Sequence, residues 1–559
     1  MNLIEKNKKK LENLIRDSVK KSKILCNFIE NKIFIEIPKG KFHGDFACNL
    51  AMVLASELKI SPRKIAEIIV SNIEVKKENF IEKIEIAGPG FINFYLKIGW
   101  LFDVFELIEQ GNYGKIDLGK GKKVNVEFVS ANPTGAIHLG NARGGALGDS
   151  VASIFEFAGY EVTREFYIND TGNQIKNYAD SLEARYLEII KGTEFIEFPE
   201  NGYKGEEVVE HAKDFFKQYG DKFLDCSQAD RRKILIDYAI EKNISNLKKT
   251  LEKYRIYYDV WFRESTLYEE NEVQNTINYL IEKGFTYEKE GAVWLKCTEM
   301  GGEKDEVLIR NNGIPTYLAP DIAYHKNKLE IRKFDLVIDI LGADHHGHVS
   351  KIINSMKMLG IDSKKVKIII MQLVRLVQNG ETVKMSKRTG KSVTLNDLLE
   401  EINVNSIRFF FVMRNSGNHM DFDMDLAKTE DNNNPVYYVQ YAHARICGIL
   451  DLLKQKNIDV PQSYEIDKTK LVLNEEIEIL RKLCEFPEII KSSVELFDPS
   501  KVIKYLMEIG ALFHVFYNSC RVFSEDMELT KARVKLIVSV RDVIKIILVL
   551  FKIDAPDKM

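Results

Sequence analysis

Lys123-Val-Asn-Val-Glu-Phe-Val-Ser-Ala131, followed by Asn132-Pro-Thr-Gly-Ala-Ile-His138-Leu-Gly140-Asn141, sets the reading of the whole chain. The first run has the apolar content of a buried strand, Asn132-Pro-Thr-Gly135 is a turn, and residues 141–159 carry a helical pattern. Strand, glycine-bearing turn and helix open a nucleotide-binding α/β unit. A helix N-terminus at this point presents unpaired N–H groups to a phosphate, Gly140 lets a nucleotide approach the backbone, and His138 can donate to a phosphate oxygen. The same residues read equally as a tight turn with a satisfied histidine, and the stretch alone leaves both readings open.

Working outward, the apolar runs 335–341 and 366–371 alternate with helical patterns, so a parallel sheet flanked by helices is expected. Between the strands, residues 181–258 are mostly helical and charged, as suits an insertion or arm. Upstream, helical spacing over 4–19 and 46–58, a helix start at Ser61-Pro62, and strand-like runs at 81–87 and 91–96 describe a small α+β module. Gly111, Gly114, Gly119 and Gly121 punctuate a linker, and from Pro435 long helical periods imply an all-α C-terminal domain. The expected division is 1–115, an α+β module; 116–395, a Rossmann-type α/β catalytic domain with a helical insertion at about 180–260; 396–434, a connecting helical segment; and 435–559, the all-α domain.

With 45% hydrophobic and 29% charged residues the chain is of ordinary globular type. Eighty basic against 83 acidic residues give a net charge of -3, so an RNA partner has to be held by local patches rather than by overall charge. Seven cysteines stand singly with no CxxC pair, which reads as reduced thiols. The opening segment is Lys-rich but contains Glu5, Glu12 and Asp17 and lacks an apolar region, and the run 543–551 is short and interrupted by Lys545. A cytoplasmic protein without a membrane partner is expected.

A second constellation, Lys384-Met385-Ser386-Lys387-Arg388-Thr-Gly390-Lys391, crowds four cations into a polar loop that suits a polyanion. Gly390-Lys391-Ser392 ends like a Walker A motif, but Met385 stands where the first glycine is required. Taken alone, the segment reads better as a solvated basic loop.

Together and in this order, the two constellations resemble the HIGH and KMSKS signatures of class I aminoacyl-tRNA synthetases, here written HLGN and KMSKR. The resemblance to bacterial-type arginyl-tRNA synthetases extends over nearly the whole chain. It runs through His43-Gly-Asp-Phe-Ala, Ala87-Gly-Pro-Gly-Phe-Ile-Asn, Val126-Glu-Phe-Val-Ser-Ala-Asn-Pro-Thr-Gly and Tyr167-Ile-Asn-Asp-Thr-Gly-Asn-Gln174. It continues in Pro315-Thr-Tyr-Leu-Ala-Pro-Asp-Ile-Ala-Tyr-His325, Tyr437-Tyr-Val-Gln-Tyr-Ala-His-Ala-Arg445 and the ending Ala-Pro-Asp-Lys-Met. Two positions depart from the signatures: Asn141 replaces the second histidine, keeping a donor without a positive charge, and Arg388 replaces the last serine.

The resemblance implies that arginine is activated by ATP to arginyl-adenylate and pyrophosphate, then transferred to the 3′-terminal adenosine of tRNA(Arg). It implies that His138 and Asn141 hold the α-phosphate, that Lys384, Lys387 and Arg388 grip pyrophosphate with Mg²⁺ as counter-charge, and that Gly140, Met385 and Ser386 border the nucleotide. Gly342, Asp344, His345 and His348, in Gly342-Ala-Asp-His-His-Gly-His348, fall where class I enzymes hold ribose and adenine. The three histidines there raise a metal site, but no Cys/His partner spacing accompanies them, and zinc is not expected. For L-arginine, the family's pocket carries over to Glu127 and Asp321 on the guanidinium, Tyr317 beside it, and Asn132 on the α-amino or carboxylate end.

The helical C-terminal domain, with Tyr437, Tyr438, Tyr441, Phe513, Phe516 and Tyr517, would read the anticodon, the N-terminal module would touch the tRNA elbow, and a monomer is expected. The rivals are a class I enzyme for cysteine or glutamate, a non-catalytic tRNA-binding relative, and a nucleotidylyltransferase. The last leaves the long helical C-terminus without a purpose.

Overall fold

The structure, a computed structural model, describes residues 2–22, 33–38, 40, 43–75, 78–383 and 393–559. At its centre lies a five-stranded, all-parallel sheet of β1 (Lys123–Glu127), β2 (Glu161–Ile168), β3 (Val260–Arg263), β4 (Leu336–Gly342) and β5 (Val366–Met371). The order across the sheet is β5-β4-β1-β2-β3. From β1 the chain steps outward through β2 to β3, then crosses back so that β4 lands on the other side of β1. The order therefore reverses between β1 and β4, and the crevice beyond their C-terminal ends is where such a sheet takes a ligand.

Helix α1 (Leu139–Phe157) follows β1 and is buried along nearly its whole length. It lies so close to the sheet that a Cβ on Gly148 would sit 2.2 Å from the Phe128 ring, which is why small residues recur in this helix. The expected strand 123–131 ends earlier, at Glu127. Val129 and Ser130 take φ values of 69° and 39°, left-handed backbone that a β-branched valine rarely adopts. Asn141 Nδ2 donates to Val129 O (3.2 Å), and Tyr167 N donates to Ser130 Oγ (3.1 Å), so neighbouring elements hold the strained turn in place.

The charged helical stretch forms three helices, Gly172–Lys191, Glu206–Tyr219 and Gln228–Lys253. The first and third are joined through buried Glu183, which accepts from Arg231 and Arg232. The last of them reaches the first motif, where Asn243 Nδ2 donates to Pro133 O (2.8 Å). Two helices flank the crevice on its other side, α2 (Leu318–Lys326), prolonged by a π-helical turn Asn327–Ile331, and α3 (His346–Met358).

The N-terminal module is a four-stranded antiparallel sheet with helices against it. The expected helix over 46–58 is instead a strand, Phe46–Cys48, followed by a helix, Leu50–Leu58. Three consecutive apolar residues pair with Ile92–Phe94 in the sheet interior, a tertiary contact that helical spacing does not reveal. The glycine-punctuated linker is packed rather than free: Tyr113 OH donates to Leu483 O (2.5 Å), and a Cβ on Gly114 would meet the Phe486 ring. The C-terminal residues form α4 (Pro435–Gln455) and three more long helices, Asn474–Leu496, Ser500–Ser519 and Met527–Leu550. Among the described residues no helix is long and apolar enough to cross a membrane.

Candidate active site

A cleft of about 1150 Å³ opens at the C-terminal ends of β1 and β4, at the point where the strand order reverses. Glu127, Asn132, His138, Gly140, Asn141, Tyr317, Asp321, Gly342, Asp344, His345 and His348 all border it, although they come from segments far apart in the chain. Lys384, Met385, Ser386, Lys387 and Arg388 lie outside the described residues. The residues just after that segment are anchored beside the first motif: Thr394 bridges His138, and Leu395 N donates to Ile137 O (2.8 Å). Thr394 then caps the helix Leu395–Glu401 through a reciprocal capping box with Asp397.

His138 is the N-cap residue of α1 and uses no side-chain atom for capping. Its ring therefore borders the cleft where the helix N-terminus favours negative charge. Asn141 sits one turn further on, borders the cleft, and gives one N–H of its amide to Val129 O, which braces the left-handed turn. Asn132 Nδ2 donates to Gln174 Oε1 (2.8 Å) at the exposed rim.

The carboxylates of the cleft differ in their partners. Glu127 borders the cleft, but its Oε2 accepts from buried Lys328 Nζ (2.6 Å) and its Oε1 from Ser130 Oγ (2.9 Å). Glu127 is thus an anion already matched by a buried ammonium. Glu264, the residue immediately after β3, was not among the residues singled out from the sequence. It is buried, accepts from Tyr167 OH (2.9 Å) and from Thr171 Oγ1, and borders the same cleft as Asp321. Burial raises the Glu264 pKa above the usual carboxylate range; the two hydroxyl donors pull it down, and the Asp321 charge adds to the rise.

Asp321, on α2, faces His348 of α3, with Oδ2 and Nε2 2.9 Å apart. His348 thus stands beside Asp321, with the Tyr317 ring 5.7 Å from its own. Tyr317 is 62% exposed, open to a ligand. Gly342, Asp344 and His345 occupy the loop that continues β4, where a Cβ on Gly342 would meet Asp344 Oδ1 at 2.5 Å.

Among the described residues, one grouping of histidine, cysteine and carboxylate has ligand atoms close enough for a single ion: His443, Cys447 and Asp557. Its imidazole Nδ1 faces Pro556 O at 2.9 Å, the geometry of a protonated nitrogen donating to a carbonyl and not of a metal ligand. Of the aromatic residues noted in the C-terminal domain, Phe513 and Phe516 are core. Tyr437, Tyr441 and Tyr517 remain partly exposed, and exposed Arg445 lies 4.4 Å from the Tyr517 ring centre.

Comparison with known proteins gives concordant matches along the chain. Residues 9–96 match the arginyl tRNA synthetase N terminal domain, residues 103–428 the catalytic domain of tRNA synthetases class I (R), and residues 439–559 the DALR anticodon binding domain. The arginine–tRNA ligase of Acetivibrio thermocellus is 51% identical over 563 aligned positions, covering all of both chains. That of Caldanaerobacter subterraneus is 49% identical with the same coverage. Among solved structures, Thermus thermophilus arginyl-tRNA synthetase superposes with a TM-score of 0.75 at 20% identity, over 99% of this chain and 100% of that one, a likeness of fold.

Proposed function

The chain belongs to the class I arginyl-tRNA synthetases, and from that premise we propose how its own residues carry out the arginine–tRNA ligase reaction. The reaction couples ATP to the formation of arginyl-adenylate and then esterifies tRNA(Arg). The observation that carries the proposal is the pairing of Glu264 and Asp321 in the cleft that His138 also borders. A planar guanidinium is recognised best by carboxylates that accept its N–H groups in pairs, and a cleft bordered by two of them suits that cation. Tyr317 covers the guanidinium, His348 holds Asp321 in orientation, and Asn132 takes the α-amino end.

The arginine carboxylate attacks the α-phosphorus of ATP, and pyrophosphate leaves. The protein supplies no nucleophile to this step; it supplies position and compensating charge. His138 and the first N–H groups of α1 receive the α-phosphate, with Asn141 keeping the Val129–Ser130 turn in shape. The loop at Gly342, Asp344 and His345 receives the nucleoside. Lys384, Lys387 and Arg388 take the departing pyrophosphate, and the anchor at Thr394 ties the end of their segment to His138. Asp344, at 81% side-chain exposure, would be the carboxylate offered to a Mg²⁺ carried by ATP, which would supply counter-charge to the phosphates.

The adenylate then passes its arginyl group to the terminal ribose of tRNA(Arg). The far end of that RNA meets the helical domain, where Tyr437, Tyr441 and Tyr517 with Arg445 offer stacking faces for unpaired bases. A cytoplasmic monomer is the form in which we expect the enzyme to act.

Arginine-dependent exchange of pyrophosphate into ATP, run over all standard amino acids with and without tRNA, tests this reading. Exchange specific to arginine is the expected result, and exchange with a different amino acid overturns the pocket assignment. In the same assay Lys387→Ala should lower the activation rate on the order of 10²-fold, the usual loss for one donor to a developing charge. A near-wild-type rate removes Lys387 from the mechanism.

A further inference from the structure

Beneath the amino-acid end of the cleft lies a set of buried charges that the reaction does not use. Glu127, the last residue of β1, and Asp339, in the middle of β4, are register partners, and both border the cleft. Left to themselves they would form a second anionic well beside Glu264 and Asp321. Lys328 prevents this. Its ammonium is fully buried and donates to Glu127 Oε2 (2.6 Å) and Asp339 Oδ1 (3.0 Å), and it lies 4.1 Å from the centre of the Tyr324 ring. Two carboxylates and an aromatic face are what an ammonium ligand is bound by, and here the ligand is the protein's own side chain.

The network continues through His325, whose Nε2 pairs with Asp339 Oδ2 (2.7 Å) while Nδ1 faces Asp321 O (2.8 Å). Burial works to raise the Asp339 pKa, yet Lys328 and His325 hold it well below the usual carboxylate range. Glu127, with burial dominant, is raised.

Stability does not account for this arrangement, because a buried ion pair is seldom worth more than an apolar replacement of equal volume. The backbone also departs from regular helix to provide it. Lys328 sits in the π-helical turn that extends α2, the helix carrying Asp321, and such turns gather at functional sites.

We propose that Lys328 is a specificity-determining residue whose ammonium fills an inner cation site made by Glu127, Asp339 and the Tyr324 ring, confining the substrate's cation to the outer pair Glu264 and Asp321. A substrate side chain then stops at one depth, which fixes where its α-carboxylate meets ATP. The inference rests on the Glu264–Asp321 reading. Failure of that reading shows separately, as an unchanged kcat/KM for arginine in Glu264→Gln, whatever the Lys328 variants do.

The test compares arginine with homoarginine, one methylene longer, in tRNA-supported pyrophosphate exchange by the full-length enzyme. In Lys328→Ala the inner site is open, and the ratio of kcat/KM for homoarginine to that for arginine should rise at least about tenfold, since one methylene in a fitted pocket is worth roughly 10- to 200-fold. Lys328→Ala/Glu127→Gln, which removes one charge of each sign and leaves Asp339 with His325, should show a rise in the same direction, and it carries the test if the single variant fails to fold. A merely structural lysine lowers both substrates together, so an unchanged ratio in a folded variant overturns the proposal.

Discussion

Asp321→Asn is expected to lower kcat/KM for arginine by roughly 10²- to 10³-fold, with the KM for ATP nearly unchanged. Truncating one member of a desolvated, hydrogen-bonded charge pair costs about 2–5 kcal/mol, and each 1.4 kcal/mol is about tenfold in affinity. Asparagine preserves the side chain's shape and can still meet His348 Nε2, 2.9 Å from the carboxylate it replaces, so the loss reports the missing charge and not a collapsed helix. Steady-state pyrophosphate exchange at varied arginine and varied ATP separates the two KM values. An arginine KM within about threefold of wild type would take Asp321 out of the pocket.

The pocket's other carboxylate adds a pH signature. Burial raises the Glu264 pKa, so the empty site loses its charge at a higher pH than an ordinary carboxylate would. Arginine binds the ionised form, and as pH falls through that raised value a proton competes with the guanidinium. The arginine KM should climb on the acid side, and Glu264→Gln should flatten the climb while raising the KM throughout.

The contrast between Glu127 and Glu264 shows what residue order alone conveys about such a site. Both stand at the C-terminal end of a sheet strand, and both face the cleft. Glu127 was legible because its strand is long, apolar and followed by a recognisable turn. Glu264 follows Val260-Trp-Phe-Arg263, a four-residue edge strand too short for alternation to register, so nothing in the local pattern placed it at a strand end. The pairing of Glu127 with Lys328, 201 positions away, is invisible until β1 and α2 are packed.

Three of the five sheet strands, β1, β4 and β5, with the position of His138 at a helix start and the all-α C-terminus, were legible because they depend on local periodicity and turn chemistry. Phe46–Cys48 resisted for the converse reason, since three apolar residues take their conformation from the strand they pair with. The contact between His348 and Asp321 was not legible either, since only the packing of α3 against α2 brings the two together.

Asp149→Asn is expected to destabilise the protein by about 3–5 kcal/mol, the usual consequence of breaking a buried ion pair from one side. Asp149 lies on α1, fully buried, and its carboxylate accepts from Arg408 Nη2 (2.5 Å), Lys552 Nζ (2.6 Å) and Arg164 Nε (3.1 Å). Arg408 also donates to Phe551 O and Tyr254 O, and Arg255 to Lys552 O, so this one carboxylate joins the helix that begins at His138 to the end of the C-terminal helical domain. Burial works to raise its pKa, but the three cations outweigh it and lower the value. The stabilisation is therefore complete above the ordinary carboxylate pKa and is lost only as pH falls through the depressed one, so at neutral pH the variant shows the full deficit.

Urea unfolding followed by the helical signal measures the deficit, with the first transition as the quantity compared because a chain of several domains need not unfold in one step. Lys552→Met/Asp149→Asn should be milder than Asp149→Asn alone, since removing both partners leaves one fewer buried cation without an anion. A single variant within about 1 kcal/mol of wild type would show that Arg408, Lys552 and Arg164 do not need this anion, and that the contact between α1 and the C-terminal end is held by packing instead.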